Sequence, residues 1–163
     1  MNDGLGKDAE KKIYKWLDKP DIGYDINRVP DQMSGLYGSK NICDFTLFHS
    51  PNMYYLESKA TYEDSFKFSM LTEYQYNNLL IKSKIQNVYG LVIVLFASYK
   101  RAFVLDINEI DRLQKELDKH SLNIKKINGW ECKYSEIPTI PSKKQLLEYD
   151  GGVEVLDKAI VID

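Results

Sequence analysis

The sequence predicts an α/β or α+β domain in which one mixed β-sheet is flanked by helices. Three observations carry this. Segments with helical apolar spacing and strand-like runs follow one another in the order α-β-β-β-α-β-β-α. Gly90 to Phe96 is continuously apolar and rich in β-branched residues, as in a strand buried on both faces. The 163 residues, 44% hydrophobic and 28% charged, suit a single globular core.

Lys7 to Lys19 reads as the first helix. Ala9, Ile13, Trp16 and Leu17 follow helical spacing, and Lys19-Pro20 closes it. Tyr24 to Val29 alternates like a strand. Pro30 to Asn41 is a short segment rich in turn formers. A β-hairpin follows from Ile42 to Thr61, turning at His49-Ser50-Pro51-Asn52. Ser69 to Gln86 is the second helix, Gly90 to Phe96 the central strand, and Arg101 to Ile107 its hairpin partner across Ser98-Tyr99-Lys100. Asn108 is placed to cap a third helix through Lys119. Ser121 to Ile127 is a short strand. Residues 1–135 are expected to form the functional domain, and residues 136–163 an irregular acidic extension of it.

The charge is nearly balanced. The excess of acid behind the net −2 resides in residues 136–163, which hold three Lys and six acids. A global charge of this size neither requires nor excludes a nucleic-acid partner. No apolar run is long enough to span a bilayer, and Met1 to Lys12 lacks the apolar stretch of a secretory signal. The expectation is a soluble, cytoplasmic protein with no membrane partner. Cys43 and Cys132 are the two cysteines, with no Cys-x-x-Cys, so neither a disulfide framework nor a thiolate zinc site is indicated.

The hairpin carries charges where strands usually exclude them. Pairing Phe48 with Met53 sets Thr46 opposite Tyr55 and Asp44 opposite Glu57. Alternation then places Asp44, Thr46, Phe48, Met53, Tyr55, Glu57 and Lys59 on one face, and Cys43, Phe45, Leu47, Tyr54, Leu56 and Ser58 on the other. Two carboxylates about 5 Å apart repel by roughly 3 kcal/mol at an effective dielectric of about 20. A proton, Lys59 or a hard divalent cation would offset this. Closely spaced oxygen ligands suit Mg²⁺, with Mn²⁺ able to substitute. With a metal present, Lys59 is free to position water or stabilise a transition state. The plain alternative is a structural ion pair on a solvated face.

Asp44 followed by Glu57-Ser58-Lys59 resembles the PD-(D/E)XK nuclease signature, with Cys43 in place of Pro. "YYLESKAT", "FKFSMLTEYQYNNL" and "GLVIVLF" are similar to the RecU family of Holliday junction resolvases. The resemblance implies a restriction-endonuclease-like α/β fold. It also implies a Mg²⁺-dependent endonuclease resolving four-way DNA junctions by paired nicks as a homodimer. By resemblance Asp44 and Glu57 are metal ligands, and Lys59 is the water-positioning or transition-state lysine. Gln75 assists at the metal, and Glu10 is the acidic residue of the first helix. Ile42 departs from the family, which has Thr there. The segment before Asp44 is shorter than the family's junction-entering projection. Another restriction-type or repair nuclease, or a non-catalytic DNA-binding relative, is the alternative.

Two of these residues have second readings. Thr72-Glu73-Tyr74-Gln75 also fits a capping box, and Glu10 also suits the rim of a solvated helix. Arg28, Lys67, Lys82, Lys100 and Arg101 are candidates for phosphate contacts, or else ordinary surface charges.

Overall fold

A computed structural model describes residues 3–30, 41–141 and 147–162. The segment 31–40, expected to be a shortened projection, lies outside the described residues. Helix α1 (Asp3–Leu17) begins earlier than its apolar pattern and buries Ala9, Ile13, Trp16 and Leu17. Pro20 opens a single 3-10 turn. Gly23 then takes φ +87°, a left-handed conformation that favours glycine, and the chain reverses into β1 (Asp25–Arg28).

The hairpin forms as β2 (Phe45–His49) and β3 (Asn52–Thr61). Phe48 pairs with Met53 and Thr46 with Tyr55, as the sequence pattern requires. The turn is tighter than four residues, because His49 and Asn52 also pair. After β3 come a short strand β4 (Ser65–Lys67), helix α2 (Glu73–Lys82) and strand β5 (Val88–Phe96). The expected helix from Ser69 is thus split. Phe68–Met70 is a 3-10 turn, and Thr72 starts the α-helix as its N-cap. Strand β6 (Arg101–Asp106) leads into α3 (Ile107–Leu117). The cap of α3 is Asp106 rather than Asn108, since the Asp106 carboxylate accepts from Asn108 N at 2.9 Å. The same carboxylate accepts from Val161 N at 2.9 Å, tying the C-terminal segment to the sheet.

Strand β7 (Ser121–Asn123) is shorter than expected and pairs with β4 in a separate ribbon. The described part of residues 136–163, expected to be irregular, carries regular elements. Strand β8 (Ser135–Glu136) joins the main sheet, β9 (Thr139–Pro141) pairs with β10 (Leu147–Tyr149), and α4 (Val153–Ala159) follows. Val153, Val155, Leu156 and Ala159 are buried in the core shared with α1. The sequence pattern misses α4 because the helix is short and follows Gly151-Gly152.

The main sheet has the order β1-β2-β3-β5-β6-β8. Only β3 and β5 run parallel, joined by the α2 crossover; the other pairs are antiparallel. One core packs α1 and α4 against Phe45, Leu47, Tyr54, Leu56, Leu91 and Ile93. The other packs α2 and α3 against Val92, Val94, Phe103 and Leu105. Glu57 pairs with Val92 and Lys59 with Val94, so both belong to the α2 side.

Gly90 governs how closely α2 approaches that side. A Cβ at Gly90 would stand 2.9 Å from Leu79 O and 3.2 Å from Leu79 Cβ. Gly90→Ala is therefore expected to push α2 outward and cost about 1–3 kcal/mol of stability, read by urea denaturation. An unchanged midpoint would show that β5 does not set the position of α2.

Candidate active site

The site forms where β2 stops and β3 continues. At Asp44 the β2 ladder slips, and Asp44 N donates to Leu56 O at 3.0 Å. The Asp44 side chain then takes over a ladder position. Its Oδ2 accepts from Ser58 N at 2.9 Å and from Ser58 Oγ at 3.0 Å. Strict alternation fails here for a physical reason: the backbone partner is replaced by a carboxylate. Cys43 accordingly joins Val92 and Val94 in the α2-side core, rather than the face of Phe45. Ser58, the variable position of Glu-x-Lys, becomes the residue that orients Asp44. Nothing in the alternation of the sequence signals that role.

Glu57 is 2% exposed. Its Oε2 accepts from Lys59 Nζ at 2.8 Å and from Gln75 Nε2 at 2.9 Å. Its Oε1 is buried with no hydrogen-bond partner among the described residues. Burial pushes the Glu57 carboxyl from its ordinary 4.5 up to about 8; the charge of Asp44 adds to the rise and Lys59 opposes it. Burial also raises the Cys43 thiol to about 12, so it is neither a thiolate ligand nor a nucleophile at neutral pH.

Gln75 forms the capping box and also reaches Glu57. Its backbone N–H donates to Thr72 Oγ1 at 3.1 Å, and its Oε1 accepts from Thr72 N at 3.1 Å. The capping box turns the amide so that Nε2 meets Glu57. The Gln75 side-chain carbonyl faces the helix start, and Gln75 serves Glu57 as a donor.

Glu10 is half-buried on α1, one turn before Tyr14. The Tyr14 ring lies 6.2 Å from that of Phe45, so this side of α1 is aimed at the start of β2. Among the described residues no three His, Cys, Asp or Glu side chains gather as a metal cluster. Ile42 is half-buried against the α2-side core, an apolar packing role where the family has a hydroxyl.

The basic candidates scatter. Arg28 places its guanidinium 5.6 Å from the Tyr14 ring and 5.7 Å from that of Phe45. Lys82 reaches the Tyr55 ring at 5.8 Å, on the Glu57 side of β3. Arg101 is held in a two-point ion pair by Glu136, at 2.9 and 2.6 Å. That pairing reduces its value as a phosphate contact. Lys100 lines a cavity of about 640 Å³ with Lys11, Lys12 and Lys15 of α1. Lys67 lines another near Tyr76 and His120.

An implied divalent metal fits this donor set. Asp44 and Glu57 are hard oxygen ligands beside each other, and the orphaned Glu57 Oε1 is an uncompensated acceptor that a cation or a proton would satisfy.

A family model described as RecU, recombination protein U, matches residues 17–149. The match includes Asp44, Glu57, Lys59 and Gln75, and begins after Glu10. The 1.6 Å structure of Hjc from Archaeoglobus fulgidus, described as a Holliday junction resolvase from an archaeal hyperthermophile, superimposes with a TM-score of 0.52. The identity is 14%, over 74% of this chain and 89% of that one, and the likeness shows the fold. A comparison with curated protein sequences gives no match.

The raised Glu57 carboxyl has a sign in stability. The folded state binds this proton more tightly than the unfolded chain, so its contribution is present below about pH 4.5 and is lost as pH rises to about 8. Metal-free wild-type protein is therefore expected to lose stability across that window relative to Glu57→Gln, in urea titrations with chelator. Parallel pH profiles for the two proteins would contradict the assignment.

Proposed function

The chain belongs to the RecU family of Holliday junction resolvases, and on that premise we propose that Asp44, Glu57 and Lys59 form the reacting centre of a metal-dependent endonuclease acting on four-way DNA junctions. The observation that carries the residue assignment is the buried Glu57 carboxylate. One oxygen is held by Lys59 and Gln75, and the other is left without a partner beside Asp44.

Asp44 and Glu57 would hold the ion, Mg²⁺ with Mn²⁺ able to replace it. Bound there, the metal supplies Lewis acidity at a phosphate and lowers the pKa of water. The chain's own residues do the rest. Ser58 fixes the Asp44 carboxylate through two hydrogen bonds, and Gln75 fixes that of Glu57. Neither carboxylate has to reorganise when substrate arrives. Lys59 keeps 19% of its side chain exposed, and on this reading its ammonium meets the incoming phosphate. There it stabilises the negative charge that grows on a phosphorus-bound oxygen, and it can orient the attacking water. Glu10, on the helix aimed at the same end of β2, is assigned an accessory acidic role.

Paired nicks across a junction need two such centres. A C2 homodimer provides them, and it is proposed here as the active form, working in the cytoplasm. The substrate reading agrees with the resolvase activity named for the structurally similar Hjc protein.

A fluorescent four-way junction and a linear duplex of the same sequence, each with Mg²⁺, test this. Wild-type protein is expected to nick the junction on opposed strands. Asp44→Ala and Lys59→Ala are each expected to lose at least about 100-fold in rate. Gln75→Ala should lose about tenfold or more, through misplacement of Glu57. Equal cleavage by all four proteins would overturn the site. Faster cutting of the linear duplex would assign a different substrate.

A further inference from the structure

Trp130 is 98% exposed. The chain has two tryptophans, and the other, Trp16, is buried at 4%. Leaving so large an apolar side chain in water forgoes most of what its burial would contribute. The other apolar side chains of this segment do not share that exposure. Cys132 is buried, and Ile127 and Tyr134 pack against the α2-side core. The turn hides its other apolar side chains and presents this one.

The turn is also built to hold its shape. Asn128 Oδ1 accepts from Trp130 N and from Glu131 N, each at 3.1 Å. Asn128 O accepts from Cys132 N at 3.2 Å. Arg112 donates to Glu131 O at 2.7 Å, and the buried Glu109 carboxylate holds both Arg112 and the Lys133 N–H. A floppy surface loop would need none of these anchors. The backbone that carries the indole is held in place, so a ligand has only the side chain to order.

Its surroundings suit a polyanion. Lys126 and Lys133 flank it on the chain and are exposed, while the Glu131 carboxylate is drawn to Lys119 at 2.7 Å. The turn follows β7, which pairs with β4, the strand that comes directly after Lys59-bearing β3. Phe66, Leu122, Ile124 and Cys132 of this region lie in the core of Val92 and Val94, the side that Glu57 faces.

We propose that Trp130 is a stacking platform for an unpaired or end-exposed nucleobase of the DNA substrate, with Lys126 and Lys133 attracting the adjoining phosphates. An exposed aromatic face beside cations is the arrangement that binds bases without reading their sequence. A four-way junction offers exposed base faces at its branch point, which an uninterrupted duplex does not. This inference rests on the DNA reading of the preceding subsection.

The test uses the full chain carrying Lys59→Ala, with Mg²⁺, titrated with labelled four-way junction. DNA anisotropy and tryptophan emission are read together. Stacking is expected to quench the red-edge emission of Trp130 as the DNA binds. Trp130→Ala is expected to weaken junction binding about tenfold, and Trp130→Phe by less than about threefold. Because the indole touches nothing that folding requires, both variants should keep the parent's denaturation midpoint. Junction binding with unchanged emission and unchanged affinity in Trp130→Ala would overturn the inference and leave the proposed function standing. A blue shift that grows with protein concentration in the absence of DNA would assign Trp130 to a second copy of the chain, and overturn it likewise. No binding to any DNA would overturn both readings.

Discussion

A carboxylate that is 2% exposed must find a proton or a cation, and Glu57 is such a group. Much of the architecture around it answers that requirement. Its strand is central in the sheet, which removes water. Lys59 lies two residues on and therefore on the same face, and supplies one positive charge. Gln75 comes from a different element, and its reach depends on two further features. Gly90 lets α2 sit close to β5, and the Thr72 capping box rotates the amide towards the sheet. Asp44 then adds a second negative charge from the end of β2. One ammonium against two carboxylates leaves an electrostatic deficit at a fixed place, and that deficit is what a divalent ion would fill.

The fold is readable in the sequence wherever a single period dominates. The apolar run at Gly90–Phe96, the α1 stripe of Ala9, Ile13, Trp16 and Leu17, and the hairpin register all hold because burial on one or two faces enforces them. Alternation within β3 is enough to bring Glu57 and Lys59 to one face. What is not readable is what depends on side chains replacing backbone. The slip at Asp44 moves Cys43 to the other core and recruits Ser58, and no alternation rule anticipates a carboxylate acting as a ladder partner. The cap of α3 goes to Asp106 for a similar reason, since two neighbouring residues could each offer a cap and only the tertiary bond to Val161 distinguishes them. Gln75 reads as either a cap or a site residue; the cap forms, and the other end of the same amide reaches Glu57. Trp130 escapes a sequence reading because exposure of a single aromatic leaves no periodic trace.

The basic residues show why a charge inventory locates a DNA path poorly. Arg101 is neutralised by Glu136, and Arg28 lies against aromatic rings. Lys82 lies over Tyr55 on the active side, whereas Lys100 joins the α1 lysines beside a separate cavity. Cations on a near-neutral protein become meaningful only once their partners are known. The near-neutral total also implies that shape and local contacts, more than a broad positive field, select the substrate.

Burial favours a proton on Glu57 in the metal-free protein, and a metal ion bound there would displace it. Calorimetric titration with Mn²⁺ at pH 7, repeated in two buffers of different ionisation enthalpy, counts protons released per ion bound. Wild-type protein is expected to release close to one proton per ion, fading as the pH passes the value of about 8 to which Glu57 is raised, and Glu57→Gln none. Mn²⁺ binding with no proton release at pH 7, or binding of equal strength in Glu57→Gln, would contradict this.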